Sequence, residues 1–105
     1  MKMPKEEPLY DDGQIRINHY EKSPECHEMR ITKPEEKYVL LQRGVLEDLA
    51  RTSRKNLKRK LAVINPPLAY FLEENKLVDA VGLAVSQAYI EETERFEAFK
   101  IREGL

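Results

Sequence analysis

The chain has 105 residues, the length of one domain, and its net charge is −1. With 41% hydrophobic and 35% charged residues, it has the composition of a compact globular protein, not of a disordered or membrane-embedded one. The most apolar stretch, residues 77–90, is too short and too polar to cross a bilayer. A single cysteine, Cys26, excludes an internal disulfide framework and is typical of a reducing compartment. Residues 1–7 lack the apolar segment of a signal peptide. We therefore expect a cytoplasmic protein without membrane attachment.

The N-terminal residues 1–12 predict a flexible tail, because they are charged and contain two prolines. Residues 13–105 then form a single globular domain. Asp12-Gly13 is a turn signal, and residues 14–20 and 27–32 both alternate apolar and polar side chains as β-strands do. Since Ser23-Pro24 interrupts this alternation, the two stretches predict a β-hairpin over about residues 14–32.

The register of this hairpin follows from its apolar pattern. A three-residue loop at residues 23–25 would pair Ile17 with Ile31 and His19 with Met29. A two-residue loop would scatter the apolar side chains over both faces, so we favour the loop of three residues. An isolated hairpin is marginal in water, and its apolar face must therefore pack on helices or on a partner. That face is predicted to hold Ile15, Ile17, His19, His27, Met29 and Ile31.

From residue 32 onward the pattern is helical. Residues 32–35 (Thr-Lys-Pro-Glu) have the pattern of a capping box, with a proline that a first helical turn tolerates. Apolar residues then recur at helical spacing from Tyr38 to Leu49, and Gly44 within them marks a break or kink. The alternative is that residues 38–42 form a third strand.

Further helices are predicted to residue 102. The apolar spacing continues to Ile64 and stops at Asn65-Pro66-Pro67, where Asn65 is a good N-cap for a new helix. A last, long helix runs from about residue 76 to residue 102. The predicted fold is α+β and predominantly helical, with an N-terminal β-hairpin (about 14–32) packed on a small bundle of three or four helices.

The first candidate site is a run of cations in residues 51–60. At 100° per residue, five of them fall on one helical face within an arc of about 140°. Such a face could follow a nucleic-acid backbone by neutralising its phosphates. A solvated surface explains the pattern without any ligand, because Glu47 and Asp48 precede the cations as the helix dipole favours, and an acidic protein partner is a third interpretation. The five residues are Arg51, Arg54, Lys55, Lys58 and Arg59.

The second candidate site is the last helix. Small residues recur every four positions in its first half, amid apolar neighbours, which is typical either of a bundle core or of a dimer interface. Aromatic residues continue the apolar stripe in its second half. If this end projects beyond the core, it offers an amphipathic surface to a partner helix. The predicted interface comprises Ala80, Ala84, Ala88, Tyr89, Phe96 and Phe99.

Evidence for metal binding or catalysis is slight. His19 and His27 share a hairpin face near Cys26 and Glu28, but zinc would need further ligands, and two partly buried histidines are the simpler interpretation. The chain has no glycine-rich phosphate loop and no nucleophile elbow. We therefore expect no cofactor, no metal and no enzymatic activity, although carboxylates that converge only in the folded chain leave catalysis open.

The sequence thus predicts a small, non-catalytic regulatory binding protein. In the first hypothesis it contacts a nucleic-acid backbone through the basic helix face. In the second it is a protein-interaction module, an accessory subunit or inhibitor, that dimerises or docks through the C-terminal helix.

Overall fold

The computed structural model describes residues 7–104, which form an antiparallel sheet followed by four helices. The sheet has four strands in the order of the chain: β1 (Tyr10–Asp11), β2 (Ile15–Tyr20), β3 (Ser23–Ile31) and β4 (Lys37–Leu41). The helices are α1 (Val45–Arg51), α2 (Arg54–Ile64), α3 (Pro66–Glu74) and α4 (Val78–Glu103). The α+β prediction, with a hairpin ahead of a helical bundle, is confirmed.

One face of the sheet forms half of the core. Ile15, Ile17, Met29 and Ile31 are at most 1% exposed, whereas side chains between them, such as Arg16, point to solvent. This alternation is the period of two expected of a half-buried strand. The prediction that these apolar residues share a face is confirmed.

The predicted register of the hairpin is wrong. The observed partners are Ile15 with Ile31, Ile17 with Met29 and His19 with His27. The turn is shorter than expected, at residues 21–22, and a register shift after His19 leaves three residues of β3, Pro24 to Cys26, without partners on β2. A two-residue turn combined with a bulge keeps the same side chains inward, which is why the face was correct although the pairing was not.

Residues 37–41 form the strand β4, so the predicted helix over this segment is wrong and the alternative of a third hairpin strand is correct. β4 pairs with β3, placing Val39 opposite Met29. Thr32 caps no helix, because its hydroxyl donates to the carbonyls of Gly13 and Gln14. The first helix begins only after Gly44, whose φ of 82° is a conformation that glycine adopts freely.

Of the predicted tail, residues 1–6 lie outside the part of the chain that the structure describes. Residues 7–12 lie within that part, and they include the short strand β1. Leu9 is only 5% exposed, and its N–H donates to the carbonyl of Ile17 at 2.8 Å. Tyr10 and Asp11 pair with β2 as an edge strand. The pairing partner lies later in the chain, so local composition gave no sign of it.

The helices complete the core. Asn65 caps α3 as predicted, with its side-chain oxygen accepting from the Leu68 N–H at 3.1 Å. α4 lies against β1 and β2 and contacts the three other helices, so it is the central element of the fold. Its inward residues include Val81, Val85 and Ala88, none of them exposed to solvent. None of the described helices is long and apolar enough to span a membrane.

Candidate functional site

Two histidines and a glutamate converge where the turn end of the hairpin meets α4. His19 and His27 are directly opposite on β2 and β3, with ring centroids 5.1 Å apart. The Glu92 carboxylate reaches both rings: its Oε2 lies 2.5 Å from His27 Nε2 and 3.4 Å from His19 Nε2. One nitrogen from each ring and one carboxylate oxygen lie within 4.8 Å of one another. We call these three residues the His-Glu cluster.

The pattern of each element places these side chains. His19 and His27 continue the inward-facing alternation of the two hairpin strands. Glu92 lies four residues after Ala88 and seven after Val85, on the inward stripe of α4. The carboxylate is therefore brought to the histidines by the same helical period that builds the core.

Backbone contacts and burial fix the two rings differently. His19 Nδ1 lies 2.9 Å from the carbonyl oxygen of Pro24. His27 is 6% exposed, and its Nδ1 has no hydrogen-bond partner among the described residues. The contact with Glu92 is thus the one hydrogen bond of the His27 ring within residues 7–104.

Beyond the His-Glu cluster, α4 runs on past the sheet. Phe96 and Phe99 prolong the inward stripe of this helix, but they are 58% and 43% exposed. Together with His19, Glu92 and Arg102 they line an open groove. Two aromatic side chains facing water on the side of the helix that is otherwise buried are an unusual surface for a small domain.

The predicted basic face is divided between two helices. α1 ends at Arg51 and α2 begins at Arg54, because residues 52 and 53 are extended. The continuous helix on which the arc of five cations was drawn is therefore wrong. α2 alone carries the remaining four cations: Arg54, Lys55, Lys58 and Arg59.

Three of the five predicted nucleic-acid-binding residues have partners within the chain. Arg51 forms an ion pair with Glu47 at 2.9 Å, and a hydrogen bond to Tyr89 together with that carboxylate raises the pKa of its guanidinium. Arg54 donates to the backbone carbonyl of Asp79 at 2.6 Å. Lys58 pairs with Glu73 at 2.5 Å.

Lys55 and Arg59 differ from the other three cations. They lie one turn apart on the exposed side of α2, and neither forms an ion pair with any residue in the described range. Arg59 also lines a shallow surface depression with Ser53, Asn56 and Lys60.

The predicted interface on α4 divides into a buried and an exposed half. Ala84 and Ala88 have no exposed surface and belong to the core, where α1 packs on α4, so they cannot contact another molecule. Ala80 is half-buried against the same core, and Tyr89 donates a hydrogen bond to Glu47 at 3.3 Å. Only the last two predicted interface residues, Phe96 and Phe99, are exposed.

Glu92 is the residue of the His-Glu cluster that the sequence analysis missed. A signal for it exists, because a lone carboxylate replaces an apolar side chain in the inward stripe of α4 between Ala88 and Phe96. Polar groups on an inward-facing stripe usually have a partner, so a glutamate at position 92 predicts a basic or metal-binding neighbour on another element.

No protein-family model, curated protein or solved structure matches this chain.

Proposed function

We propose that this protein is a non-catalytic binding protein that forms a homodimer through the projecting end of α4, residues 93–103. The observation that carries the proposal is the exposure of Phe96 and Phe99 on the helix face that is buried from Val81 to Ala88. Burying an aromatic side chain stabilises an association by about 1.5–3 kcal/mol, and aromatic residues are the commonest anchors of interfaces.

A second copy of the chain is the occupant that fits the charges of this segment. Within it, Glu94 and Glu97 precede Lys100 and Arg102. The two residues that break this order pair within the same helix, Arg95 with Glu91 and Glu103 with Arg102. When two such helices pair in antiparallel fashion about Phe96 and Phe99, acidic turns of one lie beside basic turns of the other. One patch serves both subunits, as a two-fold symmetric dimer requires.

The length of α4 makes this pairing sterically accessible. At 1.5 Å per residue, its 26 residues extend over about 39 Å, close to the 46 Å longest dimension of the molecule. The start of the projecting end is tied to the segment before β1, since Arg95 donates to the carbonyl oxygens of Glu7 and Pro8. The side chains of Phe96, Phe99 and Ile101 beyond Arg95 are exposed and therefore accessible to a second copy.

Light scattering on a double variant tests the proposal. Phe96→Ser/Phe99→Ser should convert a dimer to a monomer and leave the circular dichroism spectrum unchanged, because both side chains are exposed. Ile101→Ser is the matched control: Ile101 is 79% exposed but lies on the opposite side of the helix, and this variant should remain dimeric. Equal effects of the two changes would refute a specific interface.

A second candidate function, contact with a nucleic-acid backbone, is supported by Lys55 and Arg59. Their charges face solvent without an intramolecular partner in the described range, and the first turn of α2 carries no acid. Helix N-termini and cations both favour phosphate. Contacts of this kind position the backbone and confer little sequence specificity.

Fluorescence anisotropy with labelled duplex DNA, single-stranded DNA and RNA at two salt concentrations tests this second function. Lys55→Glu/Arg59→Glu should abolish the salt-dependent binding. The matched control reverses Lys22 and Lys33, two exposed lysines outside the helices. The second function would be refuted if the protein bound none of the three probes at low salt, or if both double variants lost affinity equally.

A further inference from the structure

We propose that the His-Glu cluster binds one divalent first-row transition-metal ion, of which Zn²⁺ is the representative, through His19 Nε2, His27 Nε2 and the Glu92 carboxylate. This departs from the expectation of a metal-free protein, because the carboxylate reaches the histidines only in the folded chain. The ligands are not the side chains of the proposed dimer surface, so the two proposals stand or fall separately.

The tautomer of His19 leaves its Nε2 free to bind a metal ion. A carbonyl oxygen can only accept, so the 2.9 Å contact with Pro24 requires the proton of the neutral ring to be on Nδ1. Nε2 then presents a lone pair to Glu92 Oε2, 3.4 Å away, and two acceptors face each other. A cation between them removes this repulsion. Metal-binding histidines are commonly held in this way, with the distal ring nitrogen donating to a backbone carbonyl.

His27 supplies the second nitrogen from the protein interior. Its ring is 6% exposed, and Nε2 is aimed at the same carboxylate oxygen that faces His19. Binding through Nε2 would place the proton of the neutral ring on Nδ1, which has no acceptor in the described range, so His27 lacks the backbone acceptor that His19 has in Pro24. Three donor atoms on three separate elements, β2, β3 and α4, thus converge on one point.

The distances fit a tetrahedral ion after a small adjustment. Zn–N and Zn–O bonds of about 2.0–2.2 Å place neighbouring ligand atoms about 3.3 Å apart. His19 Nε2 and Glu92 Oε2 are at 3.4 Å, whereas His27 Nε2 must move away from its present distance of 2.5 Å to Glu92 Oε2 when the ion comes between them. Two imidazoles and a carboxylate are donors for zinc, iron, cobalt or nickel, and not for magnesium or calcium.

The ion would have an open coordination position on the groove side. His19 and Glu92 line the groove that Phe96 and Phe99 border, so water or a small anion reaches the fourth position from there. Three protein ligands with one exchangeable position distinguish this arrangement from a closed structural zinc site.

Isothermal titration calorimetry of the full chain with ZnCl₂ tests the proposal. We expect one ion per chain with a dissociation constant of about 10 μM or tighter, and a loss of at least about tenfold in affinity in Glu92→Gln and in His19→Ala. These two residues are partly exposed, with side-chain exposures of 31% and 26%, so both variants should fold even if a variant of the buried His27 does not. Glu94→Gln, two residues further along α4 and exposed, is the matched control and should bind normally.

Cobalt substitution provides a second readout. Co²⁺ in a site with two histidines and one carboxylate should give the intense visible absorption of four- or five-coordination, and Glu92→Gln should abolish it. The absence of saturable Zn²⁺ binding in the wild type, or equal binding by wild type and Glu92→Gln, would overturn the proposal. Either result would leave the His-Glu cluster as a contact between Glu92 and the two histidine rings without a metal ion.

Discussion

Replacing Gly82 by alanine tests how α2 is held against α4. Arg54 reaches from the start of α2 across Gly82 and donates to the carbonyl of Asp79 at 2.6 Å. A methyl group on Gly82 would overlap the guanidinium of Arg54 and would lie 2.8 Å from Leu57 Cδ2. Leu57 is fully buried, so it has little room to move.

The expected magnitude follows from three opposing effects. Alanine gains about 1 kcal/mol over glycine in helix propensity. Displacing Arg54 costs about 1 kcal/mol, the typical net contribution of a hydrogen bond, because the contact is exposed. Overpacking against Leu57 costs about 1–3 kcal/mol. Gly82→Ala should therefore lower the free energy of unfolding by about 2 kcal/mol.

Urea denaturation of four proteins measures this coupling. The wild type, Gly82→Ala, Arg54→Ala and the double variant form a double-mutant cycle. Because Arg54→Ala already removes the displaced group, Gly82→Ala should cost about 1 kcal/mol less in that background than in the wild type. An equal cost in both backgrounds, or a stabilised Gly82→Ala, would refute the contact between Arg54 and this face of α4.

Three further predictions concern local conformation and pH. Gly44→Ala should lower stability by about 1 kcal/mol, since the left-handed backbone penalises a Cβ that meets no other atom, and Gly44→Asn should cost less in the same urea titration. Burial raises the pKa of Asp12, but hydrogen bonds from two backbone amides outweigh this effect and hold the pKa below 3.8. The contribution of the Asp12 carboxylate to Tm should therefore be complete above pH 3.8 and should disappear in more acidic buffer. Asp12→Asn should lack this contribution at every pH. The hydrogen bond that Tyr38 donates to Glu28 raises the pKa of Tyr38 to about 12, so ultraviolet titration should detect ionisation of Tyr38 well above pH 10.0. Glu28→Gln should lower the pKa of Tyr38 towards 10.0. A Tyr38 that ionises at pH 10.0 in both proteins would contradict this contact.

The parts of the fold that the sequence predicted correctly are those set by local periodicity. Ile15, Ile17, Met29 and Ile31 alternate with polar residues, so their common face could be inferred without knowing the register. Asn65 followed by two prolines begins α3, because capping is a property of a few adjacent residues.

The errors arise where contacts distant in sequence decide the structure. Residues 38–41 are apolar enough for either a helix or a strand, and only the pairing of β4 with β3 selects the strand. Tyr10 and Asp11 read as a tail because their partners in β2 follow later in the chain. The break at residues 52 and 53 divided the predicted basic face although no proline or glycine marks it.

The candidate sites likewise combine features set by local periodicity with features set by contacts distant in sequence. The exposed aromatic stripe at Phe96 and Phe99 was visible as a helical pattern, although its exposure depended on where the sheet ends. The His-Glu cluster was half visible, because the two histidines share a hairpin face, but Glu92 lies 65 residues from His27 and only the packing of α4 joins them. Metal sites assembled from separate elements have no short sequence signature.

Sedimentation velocity of the wild-type chain over a series of concentrations tests the central claim, dimerisation through the projecting end of α4, most directly. We expect a species of twice the 12.3 kDa chain mass, which dissociates on dilution and is absent in Phe96→Ser/Phe99→Ser. A wild type that sediments as a monomer up to its solubility limit would contradict the claim, as would a dimer that persists in the double variant.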